Sequence, residues 1–226
     1  MLLATDHRTS LSLDEIGHPT MPTSPTNAEI LAVLSTELGD VEHHDPATGE
    51  DGIDIYAFGR NFVDDCDEDA EDDIGYVLVT CGMSRRRLPP LPEGQHDTTR
   101  AVELIWYVKT LDPAYIANLR WLAELPRIDG IAYFHGRTVS MPTPPLASTP
   151  FKTFLLLPPI YEPDAELLSD MQTPDGDTVT TLVVHLVSDA ERGLIGRGSD
   201  GLDDFLDMLD EREYPMLFDP ARTSYV

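Results

Sequence analysis

Apolar positions first recur at helical spacing at Ile30, Leu31, Leu34 and Leu38. Thr26 or Asn27 can cap that helix, and Gly39 stops it. Ile53, Ile55 and Ala57 then alternate with Asp54, Tyr56 and Phe58, the period of a strand. Residues 75–81 (Gly-Tyr-Val-Leu-Val-Thr-Cys) read as a buried strand, and residues 101–109 are strand-like. Asp112 caps a second helix that opens on Pro113. Ile116, Leu119, Trp121, Leu122 and Leu125 supply its apolar content, and Pro126 ends it. Phe151–Leu157 and Thr178–Val187 read as strands, with a turn at Pro174-Asp175-Gly176-Asp177 between them. Ser188 or Asp189 caps a further helix. Leu202, Phe205, Leu206 and Leu209 mark an amphipathic one that Ser199 suits as cap. A last strand is expected through Tyr214–Phe218.

The intervening stretches are polar. Residues 40–52 read as turns, 60–73 as an acidic surface connection, 84–99 as a loop, and 129–147 as short strands and turns. Helices and strands alternate irregularly, without an internal repeat. The pattern predicts an α+β fold, with a mixed or antiparallel sheet covered by helices on one side. Residues 1–25 read as a flexible leader and residues 26–226 as a single domain.

A chain of 226 residues that is 41% hydrophobic can bury a sizeable core without disulfides. Two cysteines, Cys66 and Cys81, make no disulfide framework, although one bridge between them is open. The start of the chain lacks the basic and apolar stretches of a secretory signal, so a cytoplasmic protein is expected. The net charge of −26 disfavours nucleic acid and anionic membranes and would steer a basic protein partner. It would equally suit a protein that is merely soluble.

The candidate chemistry thins out residue by residue. An EF-hand loop begun at Asp65 would need Gly where Ala70 stands and Glu where Tyr76 stands. His43, His44 and Asp45 lack metal-site spacing and read as a surface loop. His185 sits among apolar residues, as core or sheet-edge histidines do. Cys81 either ends a buried strand or is a nucleophile whose pKa the arginines at 85–87 lower. No nucleophile elbow, phosphate loop or dinucleotide fingerprint is present. Neither a metal nor a cofactor is expected.

Several segments, in order, resemble the suppressor of fused family. They are Ile53–Gly59, Tyr76–Ser84 with its Thr-x-Gly-Met-Ser ending, Glu103-Leu104, Trp121–Pro126, Phe151–Leu157, Glu162-Pro163-Asp164, Leu182–Glu191, Leu202–Leu209, and Phe218-Asp219-Pro220 with Arg222. The resemblance spans about residues 27–222 and is carried by core strands, so it brings no catalytic residue. It implies a single-lobe, bacterial-type member that binds another protein, as immunity proteins bind toxins.

A non-enzymatic binding module is therefore expected, with another protein, such as a basic toxin, as partner. The candidate contacts are Asp64, Asp65, Asp67, Glu68 and Asp69 on the acidic connection, and Ser84, Arg85, Arg86 and Arg87 on the basic loop. An adaptor that captures an extended peptide at a sheet edge is the alternative. An enzyme using Cys81, His185 or the carboxylates would require a pocket joining two of those groups.

Overall fold

The computed structural model describes residues 24–49, 52–62, 73–91, 99–212 and 216–226. The candidate contacts at 64–69 lie outside the described residues.

The first helix, α1 (Asn27–Leu38), begins where the cap residues predict. Thr26 Oγ1 accepts the Glu29 N–H, while the Glu29 carboxylate accepts the Thr26 N–H. The strands β1 (Val41–Asp45), β2 (Asp54–Asn61), β3 (Ile74–Cys81) and β4 (Ala101–Val108) form an antiparallel meander. Then follow α2 (Pro113–Ile128), β5 (Arg137–Ser140), β6 (Thr153–Leu157), α3 (Glu162–Glu166) and β7 (Val179–Val187). The chain closes with α4 (Asp189–Ile195) and α5 (Ser199–Glu211).

All seven strands join one mixed sheet in the order β1-β2-β3-β4-β7-β6-β5. Among the strands of the described residues only the β4–β7 junction is parallel.

Successive side chains of a strand point to opposite faces, and here both faces are buried. On one face Ile55, Leu78, Leu104, Trp106, Phe154 and Val184 pack with α2, with Trp106 edge-on to Tyr115 and Phe154. On the other, Phe58, Val77, Ile105 and Val183 pack with α1 and the α3 segment, and Leu155, Leu157 and Val187 with α4 and α5. Helices thus cover both faces, not one. The near-continuous apolar runs of β4 and β7 are the signature of that two-sided burial.

The structure departs from the sequence pattern at four further places. The polar stretch 40–52 contains β1, an exposed edge strand held by its neighbours rather than by apolar alternation. His43, His44 and Asp45 are part of it. The His44 ring stacks on Tyr56 at 4.4 Å, and Arg120 of α2 grips Asp45. Pro126 does not end α2, which runs on to Ile128. A proline there cannot donate to the Leu122 carbonyl, but the Tyr133 hydroxyl does so instead at 2.6 Å. Ser199 is the first residue of α5, and Gly198 is its cap. Of the expected final strand, Tyr214 and Pro215 lie outside the described residues, and the described part forms a single bridge from Val108 to Phe218.

Candidate functional site

The ladder between β3 and β4 ends at the Val79–Ile105 pair, and side chains take over beyond it. Thr80 Oγ1 accepts the Leu104 N–H at 2.7 Å and donates to Glu103 at 2.7 Å. Gly82 then turns the chain at φ 110°, so the next amides face inward. A side chain there would be strained and would meet Asn27 Oδ1 at 2.5 Å. The N–H groups of Gly82, Met83 and Ser84 donate to the Glu103 carboxylate at 3.0, 3.3 and 2.9 Å, and Ser84 Oγ adds a bond of 2.7 Å. Glu103 is fully buried, and burial pushes its pKa above the ordinary 4.5 against the pull of the Ser84, Thr80 and Gly82 bonds.

The Thr-x-Gly-Met-Ser ending and the Glu-Leu pair are thus two halves of one carboxylate cage. In the sequence they read as separate core strands. The signal for the cage is a glutamate inside an apolar strand, which demands a compensating partner.

The cage fixes the basic loop. Ser84 is fully buried inside it and is not part of the surface. Arg85 is half-buried and donates to the carbonyls of Gly82 and Gly52 at 3.4 and 2.8 Å. Arg86 and Arg87 are exposed, and Arg87 pairs with Asp177 at 2.9 Å. Behind them lies a cleft of about 280 Å³, floored by Ile53, Met83, Leu88 and Ala123 and rimmed by Arg86 and Arg87. Arg127 and Pro126, from the last turn of α2, complete it.

A larger groove of about 830 Å³ lies on the opposite face of the sheet, between α1 and the α3 segment. Its floor is Val33, Leu167, Leu168 and Met171, and Glu37, Glu166 and Asp170 stand at its rim. The position of α3 is set by Asp164, which is 1% exposed. Asp164 takes a bidentate pair from Arg60 at 2.6 and 2.9 Å and a bond from the Tyr107 hydroxyl. On the same face α5 exposes Asp200, Asp203, Asp204, Asp207, Asp210 and Glu211.

The groups that could have served chemistry are committed to the fold. Cys81 ends β3 with its thiol fully buried and bonded to the Asn27 carbonyl at 3.2 Å. Burial, then Glu103 and Asp54, raise its pKa, and the opposing pull of Arg85 does not prevail. It is not a bridged cysteine. His185 is 8% exposed in β7 and lines a void of only about 10 Å³. Burial, aided by Arg222, lowers its pKa to about 4. Among the described residues no three His, Cys, Asp or Glu side chains group as a metal site. No helix there is long and apolar enough to cross a membrane.

The family model for suppressor of fused protein matches residues 49–223, which include both halves of the Glu103 cage. The chain belongs to the suppressor of fused family. Solved structures of suppressor of fused proteins share its fold. A homologue from Neisseria gonorrhoeae is 19% identical, with a TM-score of 0.59 over 88% of this chain and 96% of that one. A chain of the Sufu–Fu complex is 16% identical, with a TM-score of 0.61 over 90% and 93%. Drosophila Suppressor of Fused is 15% identical, with a TM-score of 0.58 over 87% of this chain and 50% of that one. No curated protein sequence matches.

Proposed function

We propose that this chain is a non-enzymatic binding module of the immunity type, which neutralises a basic toxin in the cytoplasm by docking it on its acidic face. Membership of the suppressor of fused family supports a protein partner, because a family structure is named for a complex between two proteins. The observation that carries the reading is the α1–α3 groove, with an apolar floor and a carboxylate rim, on the same face of the sheet as the acidic helix α5. Apolar burial would give affinity there. A net charge of −26 would steer a cationic partner. The commitment of Cys81 and the buried carboxylates to structural bonds, together with the burial of His185, favours binding over catalysis.

The products of the genes beside its own are the partners to test. A basic protein among them should bind at low salt. Binding should weaken at least tenfold between about 50 and 500 mM salt, and likewise with Glu37→Lys plus Glu166→Lys. Absence of any partner at low salt, or binding blind to both changes, counts against the proposal.

The adaptor reading keeps one observation: β1 and β5 end the sheet, each with a strand neighbour on one side only. A partner without toxic activity that adds a strand at either edge would favour it.

A further inference from the structure

We propose that the arginine-rimmed cleft is a second docking site, for an acidic peptide segment that inserts one apolar or aromatic side chain. Its floor is built as an anchor pocket. Ile53, Met83, Leu88 and Ala123 are each at most 6% exposed, so they are already packed and offer a rigid apolar surface. About 280 Å³ lies just below the range of small-molecule sites and matches one large side chain.

The charge at the rim selects the flanking residues. Asp and Glu outnumber Lys and Arg by 41 to 15 in this chain, yet three arginines meet at this one cleft. Asp177 and Glu124 each engage one of them, as partners of Arg87 and Arg127. Those carboxylates are only 17% and 21% exposed, whereas the arginine side chains are 54% and 51% exposed. The cleft therefore presents guanidinium to solvent. Each guanidinium carries five donors in a flat fork, so a pair already made leaves capacity for an incoming carboxylate.

The site is preorganised from beneath. Glu103 gathers the amides of residues 82–84, and Arg85 ties the same turn to Gly52. A loop fixed in this way loses little freedom when a ligand docks. The cleft lies on the α2 face and the acid-rimmed groove on the α1 face, so the two could be filled at once. This inference does not depend on the toxin reading, and its test uses no toxin.

The probe is a fluorescein-labelled synthetic peptide with one tryptophan between two pairs of aspartates. Control peptides carry alanine for the tryptophan, or lysines for the aspartates. The full-length protein should bind the first peptide at least tenfold more tightly than either control. Its Met83 methyl NMR signal should shift on binding. The surface double variant Arg86→Glu with Arg127→Glu, shown to be folded by an unchanged melting curve, should lose at least tenfold in affinity. Equal binding of the lysine peptide, an unmoved Met83 signal, or full affinity in the double variant would each overturn the proposal. So would acetate or inorganic phosphate displacing the peptide at micromolar concentration, since the site would then be one for small anions.

Discussion

Glu103 of β4 and Glu191 of α4 are both fully buried, and each ties a stretch of irregular chain to its own element. Glu103 does so with neutral donors: three backbone amides and the hydroxyls of Thr80 and Ser84. Glu191 has a cation. Arg222 forks onto its two oxygens at 2.8 and 2.9 Å, and the amides of Ser188 and Tyr225 complete the set. Arg222 is itself packed beside the rings of Phe151 and Tyr225, at 4.3 and 4.6 Å from their centroids. The two pKa values move in opposite directions as a result. Burial wins at Glu103 and raises its pKa. At Glu191, burial is outweighed by Arg222 and the two amides, and its pKa falls below 4.5. A buried acid is thus made tolerable either by geometry alone or by geometry plus countercharge. Only the second arrangement favours the ionised form overall.

The most severe disruption is expected at Glu191. Glu191→Ala would leave a guanidinium that is 6% exposed without its carboxylate. The expected loss is about 3–5 kcal/mol, read from urea-unfolding midpoints. Glu191→Leu combined with Arg222→Met should lose less than the single change, because no unpaired charge remains.

Glu103→Ala comes next, at about 3 kcal/mol, because three buried amides lose their acceptor at once. Hydrogen exchange should quicken selectively at Gly82, Met83 and Ser84. Glu103→Gln keeps one oxygen and should cost about 1–2 kcal/mol.

Titration sharpens the contrast. The stability that Glu191 contributes is present above pH 4.5 and is lost as pH falls through its lowered folded value. Glu103 has the opposite sign. Its contribution is fully present below pH 4.5 and is lost as pH rises through its raised folded value. Unfolding curves across a pH series should therefore show a shallower acid limb in Glu191→Gln. In Glu103→Gln, the decline above pH 4.5 should be shallower.

The smallest effect belongs to a site with no charge at all. Tyr133→Phe removes the hydroxyl that serves Leu122 above Pro126 and should cost about 1 kcal/mol. Amide exchange should rise in the last turn of α2.

The sequence made local structure legible wherever the partners are local. The caps at Thr26, Asp112 and Ser188 bond within three residues and were readable in place. The strands β3, β4 and β7 announce themselves by apolar content. What was hidden depends on distant partners. β1 has no apolar pattern and exists because β2 lies beside it. α2 passes Pro126 because Tyr133 returns to it. Ser84 looked like a surface neighbour of Arg85 but turns inward to Glu103, across a separation of 19 residues. The exposed arginines were visible as a run. The cleft was not, because its other walls come from Ile53 and from the end of α2.

The single parallel junction has a consequence for how the chain assembles. β1 to β4 pair antiparallel with their sequence neighbours, as do β5, β6 and β7, so each half can zip up through comparatively short loops. Only the seam between Ala101–Ile105 and Val179–Val183 joins the halves within the sheet, and it closes across 78 residues of chain. Closing so long a loop before any reward from the seam is the costly step. Truncating Leu104 or Leu182 should therefore slow refolding more than an equally destabilising change in β2. The seam would be the kinetic bottleneck as well as the centre of the sheet.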